Sequence, residues 1–507
     1  MKMEIQILWF KKDLRVKDHM PLVRACENKI PVLPIYLIEP SFWRQPFSSK
    51  RHWSFIRDCL IDLQIDLINL RSNLHVEIDE ALNFFDEINK KFKICSILSH
   101  EETGNNWVLS RNIQVQNWCK TKNINFIEYP NNGVVRNLEN RDKWSQIKKN
   151  RLNLPILDKP NEINTLDYNF KFDLPSTNDC LFGTDEIFKV QKGGRKEALK
   201  IFDLFLKTNS ANYLKYISGP NNSDKHCSRL STHLTYGTIS VREVFKKVNF
   251  FLNQNSSNLD KNRIKNIRAF TSRISWRCHF IQKLEDQPSI EFKSMHPNFD
   301  ALTRHQNIND HFRSLEKGLT GYPFIDACMR SLTKIGWLNF RMRAMLVSFA
   351  SYDLWLDWKN TGNLLAKLFT DYEPGIHYSQ LQMQSGVTGI NTFRIYNPVK
   401  QSIEHDNNGA FIKKWVPELK NLDSTFIHEP WKMDPTTQKN NNCILGKDYP
   451  NRIVIHEEAI KFARNEIKKV LKTENYYETS KKVFLKHGSR KRNTPRVNKK
   501  SKQLSLF

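Results

Sequence analysis

No stretch of this 507-residue chain approaches the roughly 20 consecutive apolar residues of a membrane-spanning helix, so no membrane span is expected. The start, MKMEIQILWF, lacks the apolar core and small-residue cleavage site of a secretory signal and reads as a first strand, so a cytoplasmic protein is expected. Nine cysteines are scattered at irregular spacings with no CxxC pair, which argues against a disulfide framework or a zinc site; no metal is expected. No GxGxxG follows the first strand, so a dinucleotide phosphate site there has no support. No internal repeat is evident, and from Ser480 onward there are ten Lys or Arg and no acidic residue.

What the chain does carry is positive charge. Its 79 Lys and Arg against 53 Asp and Glu give a net charge of +26. That excess points to a polyanionic partner, nucleic acid before membrane, although a generally basic, soluble surface would give the same count. Hydrophobic content of 39% with 11% aromatic is ordinary for a globular protein. The length suits two to four domains.

In order, strands are predicted at Glu4–Phe10 and Ile30–Ile38, with a helix around Pro21–Glu27. Helix and strand alternation continues through 51–71, 94–98, 107–119 and 124–129. That alternation predicts a doubly wound parallel α/β sheet. Residues 130–187, rich in Asn, Pro and Lys, read as a long surface connector. From Gly193 the apolar spacing becomes helical and stays so to about Leu471, predicting an all-α second domain. The basic end reads as a tail that stays disordered until it meets a partner.

The chemistry concentrates between Gly336 and Gln401, opening GWLNFRMRAMLVSFASYDLWLDW and closing TFRIYNPVKQ. Met342, Leu346, Phe349 and Ala350 recur at helical spacing, yet Arg341 and Arg343 lie among them, with Asp371 and Glu373 downstream. An arginine in so apolar a segment needs a partner, either a carboxylate on a packed helix or a charged ligand. Elsewhere, Cys227-Ser-Arg-Leu-Ser231 with THLTYGTIS combines hydroxyls, backbone N–H groups and a helix start suited to an anion, or simply an N-cap beside a surface arginine.

Four motifs in one order, SRLS, Ser275-Trp276-Arg277, GWxxxRxR and FRIxNP, resemble the flavin-binding core of the photolyase/cryptochrome family. ILWFKKDLRVKDHMPL resembles the start of that family's antenna domain, with His19 in place of an Asn. The resemblance implies an α/β N-terminal Rossmann-like domain (1–130), a connector (131–192), an all-α FAD-binding catalytic domain (193–475) and a basic tail (476–507). FAD is the implied cofactor, with room in the family for a second, light-harvesting chromophore whose identity the sequence does not give. By resemblance, Ser228, Arg229, Leu230 and Ser231 hold the FAD diphosphate, Tyr213 is a flavin-contacting tyrosine, and Arg277, Phe340, Arg343, Asp371, Glu373 and His377 complete the cofactor-binding set. Arg343 and Asp371 would form an ion pair beside the ring, His377 would tune flavin protonation, and Trp276 would stack on a flipped-out base.

Several positions depart from the family pattern. The usual three-tryptophan electron chain keeps only Trp358, with Leu381 and His305 at its other two places; Trp355, Trp337 or Tyr378 remain as alternatives. Arg273 replaces a lesion-contacting Glu, and Met383 a second base-stacking Trp. Phe340 and Ala344 stand where (6-4) photolyases carry a histidine pair, which disfavours (6-4) chemistry. After Cys278 only Cys328 and Cys443 remain, too few for the iron–sulfur cluster of some relatives. Arg273, Lys400 and Gln401 are candidate phosphate contacts or solvated surface groups. The resemblance implies light-driven repair of pyrimidine dimers in UV-damaged DNA, the cyclobutane type first, by a monomer. A signalling cryptochrome of the same fold is the alternative, and a DNA-binding flavoprotein without photoreactivity a third. The last residues, Gln503-Leu-Ser-Leu-Phe507, resemble the pentapeptide by which bacterial repair proteins dock on the sliding clamp.

Overall fold

The computed structural model describes residues 2–255, 257–305 and 310–490. Strand β1 (Glu4–Phe10) is buried on both faces from Ile5 onward, which places it at the centre of a sheet covered on two sides. Around it run β2 (Val32–Leu37), β3 (His75–Glu77), β4 (Lys93–His100) and β5 (Asn125–Tyr129), in the spatial order β3-β2-β1-β4-β5 and all parallel. Four main helices return the chain between strands: α1 (Met20–Ala25), α2 (Lys50–Ile68), α3 (Ala81–Lys91) and α4 (Asn106–Lys122). Trp53, Phe55, Leu60 and Leu63 of α2 pack in the core on one side; Phe84, Phe85 and Ile88 of α3 and Val115 of α4 pack in that on the other. The doubly wound sheet is as the alternation predicts. β3 and α3 lie outside the predicted elements; β3 has only three residues and offers no alternation.

The connector is less of a surface strap than its composition suggests. It contains helix α5 (Trp144–Asn153), held by buried Trp144 and Leu152, and Thr165 bridges to Val32 beside buried Ile163 and Leu166. Isolated apolar residues at irregular spacing do this anchoring, and they leave no periodic signal.

The helical half includes α6 (Arg195–Lys207), α7 (Val241–Gln254), α8 (Lys261–Asp286), α9 (Pro323–Ile335), α10 (Phe340–Ser348), α11 (Trp358–Leu368), α12 (Pro374–Gln384), α13 (His456–Leu471) and α14 (Tyr476–His487). The 26-residue α8 is started by Asp260, whose side chain accepts from the Arg263 backbone N–H at 2.7 Å. Helix α12 crosses it so closely that a Cβ on Gly375 would stand 2.5 Å from Ile281 Cα. The apolar segment after Asn339 is helical only to Ser348; Phe349–Asp353 then form a buried π-helical turn. Among the described residues no helix is long and apolar enough to cross a membrane.

The two halves meet at the carboxyl end of β1. Leu14 N donates to Tyr236 O at 3.1 Å and Arg15 Nη1 to Gly237 O at 2.9 Å. Gly237 has φ 67°, and any Cβ there would run into the Lys12 carbonyl. Beneath this seam Asp13 Oδ2 accepts from His19 Nε2 (2.9 Å) and His100 Nδ1 (2.7 Å), while His19 Nδ1 accepts from Leu22 N and so caps α1. These three buried groups have metal-ligand chemistry, yet His19's two ring nitrogens and Asp13 Oδ2 are already engaged in hydrogen bonds.

Helix α14 moves the start of the tail. Residues 476–490, expected in a disordered tail, are instead anchored by buried Tyr476 and Val483, with His487 Nε2 donating to Gln287 Oε1 at 2.9 Å. The remainder, 491–507 with Gln503–Phe507, lies outside the described residues.

Candidate functional site

A cavity of about 2480 Å³ opens into the helical half, floored by α8 and α12 and walled by α10 and the Cys227–Ser231 segment. At one end the segment Ser228–Ser231 turns through Arg229, whose φ of 57° is rare for a residue with a side chain. Gln191, from the connector, clamps this turn. Its Nε2 donates to Arg229 O at 2.8 Å, and its Oε1 accepts from Arg229 Nη2 at 3.2 Å. The Arg229 guanidinium lies 4.0 Å from the centre of the Trp337 ring. Burial, partly offset by Asp371, pushes its pKa down to about 10.

Deeper in, Arg343 Nη2 donates to Asp371 Oδ2 at 2.9 Å and its Nε to Leu338 O at 2.8 Å, with the guanidinium 3.9 Å from the Phe369 ring centre. Burial alone would raise the Asp371 pKa; the Arg343 and Arg229 guanidiniums outweigh it and hold the carboxylate below its ordinary range. Arg277 Nη2 donates to Glu373 Oε2 at 2.7 Å and to Leu234 O at 2.9 Å. His377 Nε2 meets Gly362 O at 2.9 Å, so that nitrogen carries the proton and Nδ1 is left as an acceptor. Burial pushes its pKa down to about 4, keeping the ring neutral.

Several polar atoms of this lining are buried without a hydrogen-bond partner among the described residues: Arg229 Nη1, Asp371 Oδ1, Glu373 Oε1, Gln380 Oε1 and the side-chain amide of Gln384. Left dry, such groups are destabilising by about 1–3 kcal/mol each, so the lining is shaped for a polar ligand. FAD matches it: a diphosphate for Arg229, ribityl hydroxyls for the carboxylates, ring N–H and C=O groups for the amides and His377. Gln380 and Gln384 went unnoticed in the sequence, although with His377 they repeat at three and four along α12.

Comparisons with known proteins agree with this geometry. A family model described as the FAD binding domain of DNA photolyase matches residues 270–469, and one described as DNA photolyase matches 6–146. The chain belongs to the photolyase/cryptochrome family. Among curated relatives, a deoxyribodipyrimidine photo-lyase of Alkalihalophilus pseudofirmus is 30% identical over 272 residues, 53% of this chain and 54% of that protein, so the chain aligns with about half its length. One of Buchnera aphidicola is 26% identical over 486 residues, 90% of this chain and 96% of the relative. A cryptochrome DASH of Gloeobacter violaceus is 25% identical over 479 residues, covering 88% and 92%. In structure, a bacterial class III photolyase from Agrobacterium tumefaciens superposes with a TM-score of 0.79 at 23% identity, covering 93% of this chain and 99% of its own. An archaeal photolyase from Sulfolobus tokodaii with two FAD molecules gives 0.72 at 24%, covering 92% and 100%.

The residues matched to the family's flavin contacts, from Tyr213 through Ser228–Ser231 to Arg277, Phe340, Arg343, Asp371, Glu373 and His377, all line this one cavity, as do Arg273, Trp276 and Met383. Trp276 is 44% exposed at the mouth, and Arg273 stacks over its ring at 4.7 Å. Trp358 does not line the cavity; it is buried at the start of α11, and Leu381 stands on the cavity wall. Of the alternative redox residues only Trp337 lines the cavity; Trp355 and Tyr378 are buried behind it. Lys400 and Gln401 also lie off the lining: Lys400 is exposed beside Glu404, and Gln401 is buried with its amide donating to Glu404 at 3.1 Å.

The crevice at the carboxyl ends of β1 and β2 measures about 70 Å³ and is filled by Phe42, Trp43, Trp107 and Arg111. Ligand pockets start near 300 Å³, so a second chromophore there requires these side chains to move.

Proposed function

We propose that this chain is a light-driven DNA repair flavoprotein that splits pyrimidine dimers, cyclobutane type first. The observation that carries the reading is one cavity with a half-exposed tryptophan at its mouth and, on its wall, Arg343 paired with the buried carboxylate of Asp371. When bound, reduced FAD supplies, on blue-light excitation, the electron that opens the cyclobutane ring and takes it back afterwards.

The chain's own residues do the rest. Trp276 gives the flipped-out lesion a stacking face, which lowers the few kcal/mol that base extrusion requires. Arg273 covers that face in the absence of DNA; on stacking it swings outward, where it reaches backbone phosphate. Arg343, fixed by Asp371 and the Leu338 carbonyl, sets a positive charge on the cavity wall that would favour the anionic form of a reduced flavin bound there. His377 holds a neutral Nδ1 acceptor against the cofactor. Leu381, Val347 and Ile376 exclude water from that end of the cavity. The chain acts as a monomer, and Gln503–Phe507 tethers it to a sliding clamp; loss of clamp pull-down on deleting those five residues checks the tether.

The test of the activity is direct. Chemically reduced protein is mixed with an oligonucleotide carrying one cyclobutane thymine dimer and kept dark or given blue light. Light-dependent return of intact thymines is expected. No repair with FAD bound would overturn the reading in favour of a blue-light photoreceptor, the alternative that Arg273 and Met383, in place of the usual lesion contacts, support.

A further inference from the structure

From Trp276 the cavity-lining face of α8 continues through His279 and Phe280 to Lys283, into a second lobe of the cavity between α5 and α14. Lys283 is only 4% exposed, yet its ammonium makes no hydrogen bond or ion pair with any described residue; its recorded neighbour is the Phe280 ring, 5.5 Å to the centre. Beside it the Arg141 guanidinium, itself 7% exposed, donates from Nη2 to His279 Nδ1 at 2.9 Å and leaves Nη1 buried without a hydrogen-bond partner. Because His279 accepts at Nδ1, its other ring nitrogen carries a proton. Lys148, on α5, lines the same lobe and donates to Ser275. Against these stands Asp286, whose Oδ2 lies 3.6 Å from that same Arg141 Nη1, beyond hydrogen-bond distance, and whose Oδ1 accepts from Gln282. Asp142, the other nearby carboxylate, is taken by Arg490.

Two adjacent buried cations, of which only Arg141 has a carboxylate within ion-pair distance, are an electrostatic deficit that packing alone does not repay. Burial, with Arg141 adding to it, pushes the Lys283 pKa down to about 8. The lobe is therefore built for a strong oxyanion with Lys283 Nζ, Arg141 Nη1 and His279 Nε2–H as its donors. Its place on the same helix face as Trp276 says which one. Seven residues of α8 span about 10 Å, the reach of two or three nucleotides along a strand. We propose that this lobe is a phosphate subsite in which Lys283 and Arg141 hold one DNA backbone phosphate two or three nucleotides from the base stacked on Trp276. The proposal rests on the DNA-repair reading above.

The test uses the full chain with bound flavin, in the dark, and single-stranded oligonucleotides that carry one thymine dimer and one neutral methylphosphonate moved stepwise along the backbone. Wild-type affinity should drop roughly tenfold when the neutral link falls two or three nucleotides to one side of the dimer, and little elsewhere. Lys283→Met should bind the unmodified oligonucleotide more weakly, with a log–log salt slope smaller by about 0.7, and be indifferent to the methylphosphonate. Its melting temperature should equal or exceed that of wild type, since a buried unpaired charge is gone. A flat wild-type walk overturns the inference without any variant, while binding of damaged DNA still upholds the parent reading; a wild type that binds no DNA overturns both. An unchanged salt slope with a lowered melting temperature makes Lys283 structural and overturns the subsite. If inorganic phosphate raises the wild-type but not the variant melting temperature while the walk is flat, the lobe takes a free anion and the DNA assignment falls.

Discussion

The two ends of one cavity treat buried positive charge in opposite ways. At the flavin end two arginines have their own carboxylates, Arg343 with Asp371 and Arg277 with Glu373, at 2.9 and 2.7 Å, and Arg229, held by Gln191, lies within the field of Asp371. At the far end of α8, Arg141 has Asp286 at 3.6 Å, and Lys283 makes no hydrogen bond or ion pair with any described residue. A paired charge holds its position whether or not a ligand is present, which suits a resident cofactor. An unpaired one is poised for an anion that comes and goes, as a DNA strand does. Breaking a pair should therefore damage the protein, whereas removing the unpaired charge should relieve it.

The largest effect is expected from breaking the pair. Arg343→Ala leaves Asp371, 5% exposed, as a buried and uncompensated carboxylate; removing one partner of such a pair typically destabilises by about 3–5 kcal/mol. The purified variant should have lost its flavin or hold it only oxidised, as read from the visible spectrum, and should melt earlier. Full occupancy with photoreducible flavin would contradict the assignment. Asp371→Asn should lose less stability, since an amide still accepts from Arg343, and this ordering separates charge from packing.

At the mouth the expected effect is smaller. Trp276→Ala removes a stacking face worth about 1–3 kcal/mol per base, so affinity for dimer-containing DNA should fall by roughly 5- to 150-fold with flavin content unchanged. Equal affinity of variant and wild type would remove the stacking role and leave the mouth with electrostatics alone.

The same contrast shows what a sequence discloses. The paired end was legible because SRLS, SWR, GWxxxRxR and FRIxNP run in one order, with Asp371 and Glu373 between the last two, and each is a short run of adjacent letters. The strand and helix alternation of the α/β half was legible because it is periodic. The phosphate lobe was not, because Arg141, Lys283 and His487 come from three distant segments and none has a motif around it. Helix α14 was hidden by its own composition: ten basic residues from Ser480 onward read as a solvated tail, while Tyr476 and Val483, which dock it, look incidental in one dimension. Gln191 was hidden in the same way, inside a connector whose polarity said surface and whose job is to clamp Arg229. That Leu381 and His305 stand where the resembled family has two of its chain tryptophans could be read in the sequence, but not that of the alternatives Trp337 alone lines the cavity.

The unpaired end yields the smallest and most specific signature, a pH dependence. Lys283 is faced by Arg141 from the connector, His279 from its own helix and His487 and Lys486 from α14, with Asp286 beyond Arg141. His279 and His487, pushed down to about 2 and 3 by burial and these cations, are neutral near pH 7 and do not titrate in alkali. The folded Lys283 pKa is about 8, against 10.5 for an ordinary lysine. Between those values the unfolded chain binds more protons than the folded one, so stability rises with pH across that window. Below about pH 8 both states are charged and the folded protein bears the full penalty; above about 10.5 both are neutral and it has none. Lys283→Met removes the titration, so its melting temperature should exceed the wild-type value most at pH 7–8 and the two curves should converge toward pH 10.5. Binding of a dimer-containing strand should close the same gap at neutral pH, because a phosphate against the ammonium restores its ordinary pKa. Parallel curves, with a constant offset from pH 7 to 10.5, would mean that Lys283 is paired in solution, and the difference between the two ends of the cavity would disappear.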